Sequence, residues 1–184
     1  MAGVREVELA MRGDHDAFAA LAAASADRLF ALARMILRDT DRAEDATQET
    51  LVKAWRELPR LRDPERFDAW LRRLLVNACY DEARQARRRA VVRAIPAQES
   101  FEDPGTSFAD RDRVDRGLRR IPVEQRAVLV LHHHLGLSHA EIAETLGIPL
   151  GTVKSRLRYA LEAMRAAVEA DDRRTRDIEG GRTA

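Results

Sequence analysis

Between Ser138 and Arg165 the chain reads SHAEIAETLGIPLGTVKSRLRYALEAMR, two helical segments joined by a turn too short to let them part. Ser138 followed by Glu141 predicts a capping box, in which the serine oxygen accepts from an amide one turn on and the glutamate returns to the serine's own amide. Gly147 predicts the end of this first helix. Pro149 suits the start of the next, where a missing N–H costs nothing, and the small Ala143 lets the two helices approach. In the second helix Leu150, Val153, Leu157, Leu161, Met164 and Val168 recur at helical spacing and are expected to be buried. At about 100° per residue the other face collects Gly151, Lys154, Ser155, Arg158, Tyr159 and Arg165. Basic residues opposite an apolar stripe are by themselves an ordinary solvated face. Joined to a cap, a glycine turn and a proline start, they predict a helix-turn-helix whose donors reach phosphates and base edges in a major groove.

Few aromatic residues, 5% of the chain, and few glycines and prolines favour helices over a many-turned sheet protein. The 32 basic residues are almost balanced by 31 acidic ones, so nucleic-acid contact must come from local patches, and weak DNA affinity of the free protein follows. The single cysteine, Cys79, excludes an internal disulfide and reads as a small core residue in a reducing compartment. No apolar run is long enough for a signal peptide or a membrane span, so a soluble cytoplasmic protein without membrane insertion is expected.

Taken in order, Val4 to Met11 reads as a short helix. Asp14 then caps a longer one that turns Phe18, Leu21, Ala22, Leu29, Leu32, Ala33 and Ile36 inward up to about Leu37. A third helix, capped near Thr40 or Asp41, places Ala43, Ala46, Leu51, Ala54, Trp55 and Leu58 inward and leaves Asp45, Gln48, Glu49, Val52 and Arg56 outward. The prolines of Pro59 to Pro64 mark a loop. From Phe67 the period returns, with Phe67, Trp70, Leu71, Leu74 and Ala78 inward. Arg73, Asn77, Asp81, Arg84 and Arg88 line the far side, and Arg84, Arg87, Arg88, Arg89 and Arg93 make a localised phosphate-binding patch. Residues 94–110, rich in Pro, Gly, Ser and acid, read as a flexible linker. Helical patterning resumes by Arg111, breaks at Pro122 and runs to Gly136, which with the helix-turn-helix makes a compact four-helix domain. The fold class expected is all-α, with two small helical domains at 1–93 and 111–170, and a frayed tail from 171 to 184.

EIAETLGIPLGTVKSRL resembles region 4 of the sigma-70 family, especially its extracytoplasmic-function (ECF) members. AEDATQETLVKAWREL, from Ala43 to Leu58, and FDAWLRRLLVNACYDEARQARRR, from Phe67 to Arg89, resemble the successive parts of region 2 of the same family. The resemblance implies a sigma factor whose partners are core RNA polymerase, promoter DNA and an anti-sigma factor, with no small-molecule substrate, no cofactor and no enzyme activity. By position, Asp45, Gln48, Glu49 and Val52 inherit the polymerase contact. Arg62, Arg73, Asn77, Asp81, Arg84 and Arg88 inherit the minus-ten contacts, Asp81 by orienting Arg84. The loop from Arg60 to Arg66 inherits the place where an extruded base is held. Thr152, Lys154, Ser155, Arg158 and Tyr159 inherit the minus-35 contacts, together with His132, which stands where the family often has arginine.

Two rivals belong beside this reading. A dimeric helix-turn-helix regulator would bind operators without polymerase. A helical nucleic-acid-processing enzyme would need clustered carboxylates, a nucleophile with its base or a phosphate loop, and the sequence contains none of these motifs. His132, His133, His134 and His139 invite a metal, but successive helical residues fan around the helix and no cysteine or carboxylate at ligand spacing completes a set, so no metal is expected.

Overall fold

The computed structural model describes residues 3–93 and 117–180. The expected linker at 94–110, the resumption of helix at Arg111 and the last four residues of the expected tail lie outside the described residues, as do the side chains of Arg93 and Val168. The chain divides into two compact units. The first is built on α1 (Val4–Met11), α2 (His15–Leu37), α3 (Thr40–Glu57) and α4 (Phe67–Arg93). The second is built on α5 (Val123–His133), most of α6 (His139–Leu146) and α7 (Leu150–Gly180), with residues 117–120 also helical.

In the first unit α2, α3 and α4 pack on one another and α1 lies against α2. Asp14 caps α2, its side chain accepting from the Ala17 amide at 3.0 Å, as its place after Gly13 predicts. Helix α2 ends at Arg38 in the left-handed conformation, φ +60°, and the chain starts α3 at once. The cap of α3 is Asp39, not Thr40 or Asp41. Asp39 has the extended backbone of a cap, and its carboxylate accepts from the Arg42 amide at 3.0 Å while Thr40 and Asp41 already belong to the first turn. A helix begins where the backbone leaves the extended region, and three adjacent capping residues do not reveal that point by type alone.

The buried face of α3 also differs from the expected one. Ala43, Ala46, Ala54 and Leu58 are buried, but Leu51 and Trp55 are half-buried, and Thr47 and Thr50 take core positions. Each threonine returns its hydroxyl to the carbonyl one turn back, Thr47 to Ala43 at 2.7 Å and Thr50 to Ala46 at 2.6 Å. Bonded in this way a hydroxyl can be buried, and a face of alanine and threonine lets α3 come close to its neighbours. Trp55 instead closes the edge of the core, its ring 4.9 Å from Phe18 and 4.6 Å from His15. The stretch expected as a loop contains two short 3-10 turns, Leu58–Arg60 and Pro64–Arg66, the second capped by Asp63. Helix α4 then buries Phe67, Leu71, Leu74, Leu75, Val76, Ala78 and Cys79. Burial pushes the Cys79 thiol up to about 12, so the side chain is an inert core residue, as expected.

In the second unit α5 packs on α7. Nearly all of α5 is covered, including Arg126, whose guanidinium donates to the Ile121 carbonyl at 2.9 Å. Val153, Leu157, Ala160 and Ala167 form the buried stripe of α7, while Leu161 and Met164 are half-buried. Leu150 departs from expectation and is 43% exposed. Helical side chains lean toward the N-terminus, so a first-turn leucine points off the end of the helix and not onto a neighbour. At the other end α7 continues to Gly180, through ten residues of the expected frayed tail. No helix among the described residues is long and apolar enough to cross a membrane.

Candidate promoter and polymerase surfaces

The turn of the helix-turn-helix is built as its residues predict. The Ser138 hydroxyl accepts from the Glu141 amide at 3.2 Å and the Glu141 carboxylate accepts from the Ser138 amide at 2.8 Å, which completes the capping box. At the far end of α6, Gly147 takes φ +64°. Its amide donates to the Glu144 carbonyl at 3.3 Å and the Ile148 amide donates to Ala143 at 3.1 Å, the paired bonds of a Schellman turn. Residues with a Cβ pay for that left-handed backbone, which is why glycine stands here. Both ends of α6 are therefore closed by local bonds, and α7 starts in a defined direction.

On α7 the side chains of Lys154, Arg158, Tyr159 and Arg165 are exposed, and Thr152 and Ser155 are half-buried. Ser155 spends its hydroxyl on the Thr152 carbonyl at 3.0 Å. The Arg158 guanidinium lies over the Tyr159 ring, 4.7 Å from its centre. Leu157 and Leu161 form the floor of a shallow basin on this face, with Lys154, Arg158, Arg165 and Glu162 around it and His139 at one side. His132 has a different environment from the others. Its Nδ1 donates to the Leu137 carbonyl at 2.7 Å, and its ring lies 4.8 Å from His133 and 5.0 Å from His139. The imidazole thus pins the loop between α5 and α6. Among the described residues no group of three or more His, Cys, Asp or Glu could hold a metal ion.

In the first unit α3 and α4 flank an open groove. Asp45, Gln48, Glu49 and Val52 line it from α3; Asp81, Glu82, Arg84 and Arg88 line it from α4. Residues read separately as polymerase-facing and promoter-facing therefore share one surface. Arg73, Asn77, Asp81, Arg84 and Arg88 stand at helical spacing along the exposed stripe of α4, with Arg73 and Asn77 beyond the groove and Arg62 exposed on the connection before the helix. Asp81 is ion-paired with Arg84. Arg89 donates to Gln85 at 2.8 Å, and Arg66 pairs with Asp63 at 3.4 Å.

Glu82, like Gln85, is a groove residue that sequence reasoning missed, because its neighbours on both sides supply the recognisable pattern. Its carboxyl is raised above the ordinary glutamate range, first by burial and then by the negative charge of Asp45; Arg89 and Arg42 oppose the rise and Asp39 adds to it. Ionising Glu82 in the fold therefore costs stability. The cost is absent below the unfolded value, builds as the pH rises toward the folded value, and is complete above it. Glu82→Gln is expected to raise the melting temperature at neutral pH, because the amide removes the disfavoured charge. At about pH 3, where the carboxyl is protonated in both states, the variant and the parent should melt together. Thermal melts at the two pH values check this.

Comparison with known proteins agrees with this geometry. The family model for sigma-70 region 2 matches residues 21–89 and that for sigma-70 region 4 matches residues 111–164. The ECF RNA polymerase sigma factor SigL of Mycobacterium tuberculosis is 37% identical over 146 residues, covering 77% of this chain and 82% of that protein. The chain belongs to the ECF sigma factors of the sigma-70 family. As a sigma factor it serves core RNA polymerase and promoter DNA in transcription initiation. SigW of Bacillus subtilis, also an ECF RNA polymerase sigma factor, is 27% identical across 88% of this sigma factor and 94% of its own length. Among solved structures, the sigma factor RpoE of Bartonella quintana, in complex with the anti-sigma factor NepR, superposes with a TM-score of 0.68 at 26% identity. That match covers 84% of this chain and 98% of the other. CnrH, in complex with the cytosolic domain of CnrY, gives a TM-score of 0.66 at 28% identity over 93% and 99% of the two chains.

Proposed function

We propose that the two units divide the work of this sigma factor. The second unit reads a minus-35 element with Lys154 and Arg158, with Thr152, Ser155 and Tyr159 lying beside them on the same surface. The first docks on core polymerase through Asp45, Gln48, Glu49 and Val52, and opens and holds a minus-ten element along Arg73, Asn77, Arg84 and Arg88, with Arg62 on the connection before α4. Asp81 holds Arg84 in place. His132 is tied to the loop through its Nδ1, which leaves its Nε2 as the atom to meet the minus-35 DNA. The observation that carries this reading is the exposed Lys154, Arg158 and Tyr159 on a helix whose starting direction is set by a capping box and a Schellman turn. Such a helix presents donors to base edges with little freedom to lose.

The protein works in the cytoplasm, where core polymerase is found, and binds without catalysing a reaction of its own. An anti-sigma factor is its negative partner, a proposal supported by the complex of the Bartonella quintana relative. Promoter binding depends on polymerase, since the formal net charge is +1 and each basic stripe is short. Run-off transcription with core enzyme on a genomic promoter library tests the function, and gel shifts with and without core enzyme test the dependence. Binding at physiological salt is expected only with core enzyme; tight, sequence-specific binding by the free protein would favour a dimeric operator-binding regulator.

A further inference from the structure

Arg158 and Tyr159 are adjacent on the exposed face of α7, and the guanidinium sits 4.7 Å from the centre of the tyrosine ring. Tyr159 is 48% exposed, one of the few large apolar side chains left so open. A tyrosine in that position can touch a base itself or hold a neighbour that does. A cation above an aromatic face is attracted by the ring, and a guanidinium resting its flat side there keeps its edge N–H groups free for acceptors. The competing partner is close at hand: Glu162, one turn further on, borders the same basin as Arg158 and offers a carboxylate at i+4 spacing.

We propose that Tyr159 is a positioning residue, whose ring holds Arg158 away from Glu162 with its donor edge outward, so that Arg158 reads the paired acceptors of a guanine in the minus-35 element. This deepens the reading of α7 proposed above and rests on it. Two parallel donors on a fixed edge match the O6 and N7 atoms of guanine, and the match is worth most when the arginine is already oriented. Without the ring Arg158 turns toward Glu162, and the guanine preference falls although Arg158 is still present.

The test presents core polymerase, reconstituted with the full chain, with promoter duplexes randomised over the upstream element, and counts the sequences retained. Arg158→Ala is expected to lower guanine preference at one position by about tenfold. Tyr159→Phe keeps the ring and should keep the guanine preference at that position. Tyr159→Leu should lower the preference at that same position several-fold, adding Arg158→Ala should lower it no further than Arg158→Ala alone, and adding Glu162→Gln should restore most of it. A Tyr159→Leu profile altered at a different position would make Tyr159 a base reader and overturn the positioning role. So would an unchanged profile, a uniform loss across all sequences, or effects of the two substitutions that add. If Arg158→Ala leaves every upstream position unchanged, the assignment of α7 as the reader falls, and the positioning role with it.

Discussion

Asp45→Arg combined with Glu49→Arg is expected to weaken association with core polymerase by about 100-fold or more, since like charges brought together at an interface cost several kcal/mol. Both side chains are exposed on α3 and border the groove, so the substitution opens no cavity and the helical signal should stay close to that of the parent. Co-purification with core enzyme, or competition against another sigma factor, measures the loss. Unchanged association would place the docking surface elsewhere. The groove adds a second expectation. Because Arg84 and Arg88 line its other wall, the same double variant should also disturb promoter opening on any holoenzyme that does assemble.

Asn77→Ala should separate the two DNA-facing surfaces. Asn77 is exposed on the stripe of α4 between Arg73 and Asp81, so truncation removes a hydrogen-bonding group without disturbing the core. Run-off transcription from duplex promoters is expected to fall about tenfold, the equivalent of one contact of roughly 1.4 kcal/mol. A template already melted around the minus-ten element should restore most of that loss, because the energy of unstacking has been supplied in advance. Lys154→Ala should behave in the opposite way, with a loss on duplex and bubble templates alike, because a premelted strand does nothing for an upstream contact. If the bubble rescues Lys154→Ala, or if Asn77→Ala alters only upstream preference, the assignment of tasks to the two units is wrong.

Much of the local structure is legible in the sequence because it is decided within a few residues. The Ser138–Glu141 box, the glycine at Gly147 and the aspartate at Asp14 each satisfy backbone groups inside a single turn, so residue type and spacing suffice. The family resemblance is legible for a related reason: its strings occupy most of α3, most of α4 and the turn between α6 and α7, and their order along the chain carries the domain plan. Where three capping residues stand together, as at Asp39, Thr40 and Asp41, type no longer decides and the backbone does.

What the sequence determined by itself is the periodicity of each helix, its caps and the charge on its open face, since these follow from local geometry. Only the tertiary structure decided which positions on a face are core. Thr47 and Thr50 are buried because a close α3 contact rewards small side chains that bond their own helix, while Leu150 is left open because its first-turn position points past the packed layer. Only the packing of α3 on α4 could show that Asp45, Glu49, Arg84 and Arg88 border one groove, and that Glu82 lies among them with its charge disfavoured. Likewise, a row of histidines says nothing of which ring is engaged. Nδ1 of His132 bonded to Leu137 is a fact of the folded loop, and a hydrogen bond between residues five apart depends on a turn that pattern alone does not specify.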